Sequence, residues 1–342
     1  MASSSFPARA LNAFTARRRL VLAVQIAFAV LVIGSFAWAA RGSWHAAADD
    51  LRSADRVDLV LALVAIAAYY LAFVIGWRLI LRAMGVRIDY RTALRSEMLS
   101  MVAKYAPGGV WTPAARVVAL RRVGVRNTPL VLGSIALEAG LSAIAGVLVF
   151  AAALPTVESN GQPVWQLAAF ALLLGVLLHP RVFQPLAGRI ARAMGGGEIP
   201  PVRQRVLFGL LAYYCLTWVL AGVGLFFLAR SVSNPPVSSI PYLGGVSAVG
   251  AIAAVLVVFA PSGLGVREGA MYSCLVAVIS PSAALSTVVL NRFAITIVEV
   301  ALLGVVGLGP RAADGSPEDA ADDQPELPAA PVSPRTAPSP PA

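Results

Sequence analysis

Apolar runs of helix length recur from one end of the chain to the other, and each can cross a hydrocarbon core of roughly 30 Å as a helix of about 20 residues. They lie at about Leu20–Ala40, Leu59–Trp77, Thr128–Leu154, a stretch ending near His179, Val206–Ala229, Ile240–Ala260 and Ala283–Leu308. A buried soluble core has no use for so many. Composition agrees, with 58% hydrophobic and 13% charged residues against roughly 25% charged in soluble domains. The expected fold is all-α: a polytopic membrane helical bundle of seven or eight spans. The count stays open because the short run 270–279, broken by Ser280-Pro281-Ser282, either crosses or turns back.

The 27 Lys+Arg exceed the 17 Asp+Glu, for a net charge of +10. In a soluble protein that excess would point to nucleic acid. Here the basic residues sit in short loops beside the spans, the pattern of cytoplasmic loops, so no nucleic-acid partner is expected. Arg9, Arg17, Arg18 and Arg19 precede the first run, and Arg78, Arg82, Arg87, Arg91 and Arg95 follow the second. The intervening loop is mixed, which predicts a multi-pass plasma-membrane protein with a cytoplasmic N-terminus. Residues 1–19 then form a basic tail, 20–309 the membrane domain and 310–342 a disordered Pro/Ala/acidic tail. Ala37-Trp38-Ala39 resembles a signal-peptidase site, but the run before it is longer than a signal peptide needs and more spans follow. Cys215 and Cys274 lie apart inside apolar runs, and His45 and His179 are isolated. No metal or cofactor is expected. Trp38, Trp44, Trp77, Trp111, Trp165 and Tyr242 fall mostly near span ends, as an aromatic belt would.

Two interruptions carry the chemistry. In Phe259–Ala270, Pro261 removes a backbone donor and crowds the preceding turn, so a helix arriving there breaks. Gly263, Gly265 and Gly269 let the chain bend. A helix restarting near Val266 would hold Arg267 and Glu268 in its first turn, beside unpaired amides that favour an anion. Earlier, Thr92–Leu120 is too short and polar for an ordinary span. It reads as a re-entrant or interfacial helix, a turn at Pro107-Gly108-Gly109, and a second short helix near Pro113. The two turns share an Ala-Pro-x-Gly-apolar pattern, followed by Arg116 in one half and Arg267 in the other. Matched Gly/Pro-interrupted segments in two halves point to a transporter's central site; two unrelated kinks are the alternative.

Glu138, Arg267, Glu268, Arg292 and Glu299 fall in the apolar phase, where each charge costs about 2.5–3.5 kcal/mol at a helix centre. They must be paired, hydrated or displaced to the interface. Arg292 and Glu299 share a helix face two turns apart, too far to pair, so each needs a partner on another helix, with Glu268 a candidate for Arg292. Structural ion pairing and substrate handling both remain open for Glu138, Arg292 and Glu299. At the helix break, function is favoured for Arg267 and Glu268.

The pair Lys-Tyr-Ala-Pro-Gly-Gly-Val-Trp (104–111) and Ala-Pro-Ser-Gly-Leu-Gly-Val-Arg-Glu-Gly (260–269) resembles the transmembrane, flippase-like domain of lysylphosphatidylglycerol synthases, across about residues 20–309. The resemblance implies a domain that moves an aminoacylated phospholipid across the bilayer, joined in full-length synthases to a soluble aminoacyl-transferase domain. Only a short tail follows Pro310, so lysyl transfer by this chain is not expected. The family pattern carries over at Lys104, Pro107, Gly108, Gly109, Pro261, Gly263, Gly265, Arg267, Glu268 and Gly269.

The expected function is lipid translocation. The break at Pro261, Ser262 and Gly263, with Gly265 and Arg267, would hold an anionic headgroup, helped by Lys104 or Arg116. The headgroup would then pass a polar seam of Glu138, Arg292 and Glu299. No GxxxxGK[ST] loop is present, so a gradient or downhill lipid flow would drive the movement. The alternatives are a polyprenyl-phosphate-dependent glycosyltransferase, whose base or metal ligand in the first external loop would be Asp49 or Asp50, or an accessory membrane protein without transport. Expected partners are membrane lipids, with a separate synthase or glycosyltransferase possible.

Overall fold

The structure is a computed structural model that describes residues 44–104, 111–157, 202–256 and 263–308. The N-terminal basic tail and first run, the run ending near His179, the turn residues Pro107, Gly108 and Gly109, the break residues Pro261 and Ser262, and the tail from 310 lie outside the described residues.

Nine α-helices make up the described residues, and no strand occurs among them. They are α1 (Trp44–Arg52), α2 (Arg56–Ala83), α3 (Tyr90–Ala103), α4 (Trp111–Arg121), α5 (Thr128–Ala153), α6 (Gln204–Arg230), α7 (Ile240–Leu256), α8 (Val266–Leu275) and α9 (Pro281–Leu308). Five helical segments are long and apolar enough to cross a membrane: α2, α5, α6, α9 and Val237–Leu256, which includes α7. Their outward faces carry Val60, Val64, Leu216, Val255, Phe293, Ile297 and Val300, all more than half exposed. Such contiguous apolar exposure suits hydrocarbon and not water.

Capping fixes where two long helices start. Asp55 accepts from the amides of Val57 (2.8 Å) and Asp58 (3.0 Å) at the head of α2. Asn127 does the same for Leu130 (3.1 Å) at the head of α5, which satisfies donors that would otherwise be orphaned.

Helices α2 and α6 run antiparallel. The Asp55 amide donates to the Ser231 carbonyl at one end (2.9 Å), while Leu79 and Arg82 face Val206 and Leu210 at the other. That second end is the arginine-rich side: Arg78, Arg82, Arg87, Arg91, Arg95, Arg121, Arg122, Arg126, Arg203 and Arg205 are all exposed there.

Between the long helices, α3–α4 and α7–α8 form two helical hairpins. The first leaves and rejoins the arginine-rich side, since α3 follows α2 and α4 leads into α5. The second opens from the opposite side. Tyr242, at the start of α7, donates its hydroxyl proton to the carbonyl of Cys274, at the end of α8 (2.9 Å). The run 270–279 therefore turns back, and α8, at about 15 Å, is too short to do otherwise. Helix α7, described as far as Leu256, belongs to a segment long and apolar enough to cross, and α8 packs back along it. Helix α9 then runs in the direction of α2, with Ser286 bonded to the Ala47 carbonyl at its head (3.2 Å). The order long helix, two short arms, long helix occurs twice.

Small residues let α7 sink into this frame. A Cβ on Gly244 would lie 2.4 Å from the Trp218 carbonyl oxygen, and one on Gly222 2.2 Å from that of Ile240. Backbones this close gain contact that apolar side chains alone do not supply in lipid. Gly244→Val forces α6 and α7 apart and is expected to cost about 1–3 kcal/mol. The check is the thermal midpoint in detergent against Gly304→Val, whose added Cβ meets nothing within 4 Å and leaves the midpoint unchanged.

Candidate functional site

Two glycines precede α8 in the second hairpin. Gly263 (φ 66°) and Gly265 (φ 80°) hold left-handed backbone that other residues resist. A Cβ on Gly263 would lie 2.3 Å from that of Ala254, so the returning chain is pressed against α7. Helix α8 starts at Val266, as the sequence predicts. Glu268 is occupied on both sides: one oxygen accepts from the Gly265 amide (2.7 Å) and the other faces Arg292 Nη1 on α9 (3.3 Å). The suggested partnership of Glu268 with Arg292 is present.

Arg267 is different. Its stem lies over Gly250, where an added Cβ would come within 3.2 Å of Arg267 Cγ. The guanidinium, half-buried, has no hydrogen-bond or ion-pair partner among the described residues.

At the end of α3, Lys104 is ion-paired to Glu299 of α9, which also accepts from the Tyr70 hydroxyl of α2. Both hairpins, entering from opposite sides, therefore meet α9, the first through Lys104 at Glu299 and the second through Glu268 at Arg292, and the charges of Arg267 and Arg292 both act on the Lys104 ammonium. Three cations (Lys104, Arg267, Arg292) face two carboxylates (Glu268, Glu299), leaving one positive charge in excess among these residues. The group is reachable: the Lys104 and Arg292 side chains are 21% and 23% exposed.

A second group is sealed. Arg116 of α4 bridges Glu97 of α3 and Glu138 of α5, and all three side chains are at most 5% exposed. The guanidinium lies 4.6 Å from the centre of the Trp77 ring, and its Nε donates to Ser100 Oγ (3.4 Å). Trp77 is fixed in turn by donating to Ser134 Oγ (3.1 Å). Glu97 Oε1, Glu138 Oε1 and the Tyr214 hydroxyl are buried without a hydrogen-bond partner among the described residues. Two carboxylates to one guanidinium leave one negative charge in excess.

Glu138 thus belongs with Arg116 and Glu97, apart from the Arg292 and Glu299 group with which the sequence analysis joined it. Arg116 is fully engaged by carboxylates. Sequence reasoning passed over Glu97, Tyr70 and Trp77 as site residues. Glu97 is flanked by Arg91 and Arg95 and reads as a solvated interface charge. Its one signal is that it is the only acid between Asp89 and Glu138.

At the far rim, Asp58 takes a two-pronged contact from Arg230, with Nε at 2.9 and 3.0 Å from its oxygens. Asp49 pairs with Arg52 of its own helix. No grouping of metal-binding side chains occurs among the described residues.

The family model of the lysylphosphatidylglycerol synthase TM region matches residues 22–304. The chain belongs to this family. A search of curated proteins finds no match. With helices of spanning length and membership of the lysylphosphatidylglycerol synthase TM family, it is an integral membrane protein. Every residue of both charge groups lies within the matched region.

Removing Arg116 strands two buried carboxylates. Arg116→Met is expected to destabilise the protein by about 3–5 kcal/mol, whereas Glu97→Gln, which leaves a one-to-one pair, costs much less. Denaturant midpoints of the two variants in detergent make the comparison, and equal losses would show that the charge count does not matter.

Proposed function

We propose that the protein translocates an anionic phospholipid, or the anionic headgroup of a lipid-linked molecule, across the plasma membrane, with its arginine-rich side cytoplasmic. The observation that carries this reading is Arg267. Among the described residues it has no ion-pair partner, and with Lys104, Arg292, Glu268 and Glu299 it makes a reachable set whose own charges sum to one positive. A membrane protein keeps an uncompensated guanidinium at such depth only at a cost, and an anionic ligand would remove that cost. Broken helices from two halves, meeting near mid-bilayer, are how secondary transporters present charge and backbone amides to a substrate.

In this reading Arg267 is the headgroup ligand. Gly263 and Gly265 aim it, and the Glu268–Arg292 and Lys104–Glu299 pairs are exchangeable partners along the path. The acyl chains stay in lipid against the exposed apolar faces. A charge-assisted contact from guanidinium to phosphate, worth about 1.5–3 kcal/mol, suits capture without a deep pocket.

Purified protein in liposomes containing labelled phosphatidylglycerol tests the proposal. Arg267→Ala is expected to slow transbilayer movement roughly ten- to a hundredfold. Arg267→Lys, which keeps the charge but loses the planar fork, falls between. Movement unaltered in Arg267→Ala would sink the reading.

A further inference from the structure

The sealed group has no role in holding a headgroup, yet its charge does not balance. Glu97, Arg116 and Glu138 carry a net single negative charge at no more than 5% exposure, and an unmatched charge in such a place is strongly disfavoured. Among the described residues, the groups facing it from the surrounding helices do not supply the missing positive charge. Helix α2 contributes the Trp77 ring and the Tyr69 hydroxyl, α3 contributes Ser100, α5 contributes Ser134, and α6 contributes Tyr214. Helix α7, packed on α5 and α6, has no charged residue in its sequence. Glu97 Oε1, Glu138 Oε1 and the Tyr214 hydroxyl also lack hydrogen-bond partners among the described residues. One proton on either carboxylate neutralises the triad and supplies a donor where only unmatched acceptors and one hydroxyl now stand.

From this geometry we propose that the Glu97–Arg116–Glu138 triad is a proton-binding switch that couples lipid movement to a transmembrane proton gradient. Its coupling role rests on the translocase reading above.

The placement of the three side chains gives the switch its lever. Glu97 and Arg116 sit on the two arms of the first hairpin, and Glu138 sits on the spanning helix α5. The guanidinium therefore clamps the hairpin to α5. A proton taken from water onto one carboxylate oxygen converts that carboxylate to the neutral acid and removes one of the two attractions on Arg116. Release of the proton to water on the other side restores the clamp. The same hairpin ends in Lys104, beside Glu299 and within the field of Arg267. The Tyr69 hydroxyl of α2 is acted on by the charges of Arg267 and Glu299 as well as those of Glu97 and Glu138. A proton held at the triad and an anionic headgroup held at Arg267 make the loaded protein no more charged than the empty one, so its movement does not work against the membrane potential.

Two measurements test the switch. In infrared difference spectra of the full chain in nanodiscs across a pH range, the wild type is expected to show the carbonyl band of a buried carboxylic acid, and Glu97→Gln and Glu138→Gln to alter or lose it. In liposomes with labelled phosphatidylglycerol, a pH difference of one unit is expected to skew the lipid distribution by up to about tenfold at one proton per lipid, and an equal sodium difference to have no effect. Each Gln variant is scored by the ratio of its distributions with and without the gradient, so a changed basal rate does not enter. The proposal is overturned by an absent band, by a wild-type distribution indifferent to pH, by a response to sodium in place of protons, or by Gln variants that respond as the wild type does. If the wild type moves no lipid at all, the translocase reading fails, and the infrared band alone decides whether the triad binds a proton.

Discussion

A charge below the membrane surface has to find its counter-charge within a few ångströms, because no water is at hand to screen it. That constraint organises the interior of this protein. Arg116 draws the two arms of the first hairpin and α5 onto one guanidinium. Glu299 draws the end of α3 and the middle of α2 onto α9. Glu268 ties the second hairpin to α9 through Arg292. Remove these contacts and what remains is apolar helix against apolar helix, with lipid as an equally good neighbour.

The two ion-paired groups divide the work of the fold. One is closed, carries one negative charge in excess and holds a hairpin in place. The other is partly open, carries one positive charge in excess and contains the only arginine of the two groups that no carboxylate engages. Charges from both groups act on the Tyr69 hydroxyl of α2. Glycine contributes in a different way at each level. Gly222 and Gly244 bring backbones together, while Gly263 and Gly265 hold left-handed backbone just before Arg267.

Much of this was legible from residue patterns. The helix restart at Val266, the pairing of short helices around Pro107-Gly108-Gly109, the Glu268–Arg292 pair and the need for partners across helices all follow from local rules about proline, glycine and buried charge. The triad was not legible. Glu97 is 19 positions from Arg116 and 41 from Glu138 in the chain, and nothing in one sequence says which acids will meet one arginine. The turning back of 270–279 was equally out of reach, since its length and apolarity fit either course until Tyr242 was seen bonded to Cys274.

By itself, the sequence determined the solvent and the secondary structure: helix-length apolar runs leave a backbone no other way to satisfy its amides in lipid, and arginine-rich loops mark one side. It also determined where helices break, because proline and glycine act on their own turn of backbone. Only the tertiary structure decided which charges are matched, which one is left over and which hairpin faces which side. Those are properties of distance between helices, and distances of a few ångströms decide electrostatic energies in a medium where water cannot intervene.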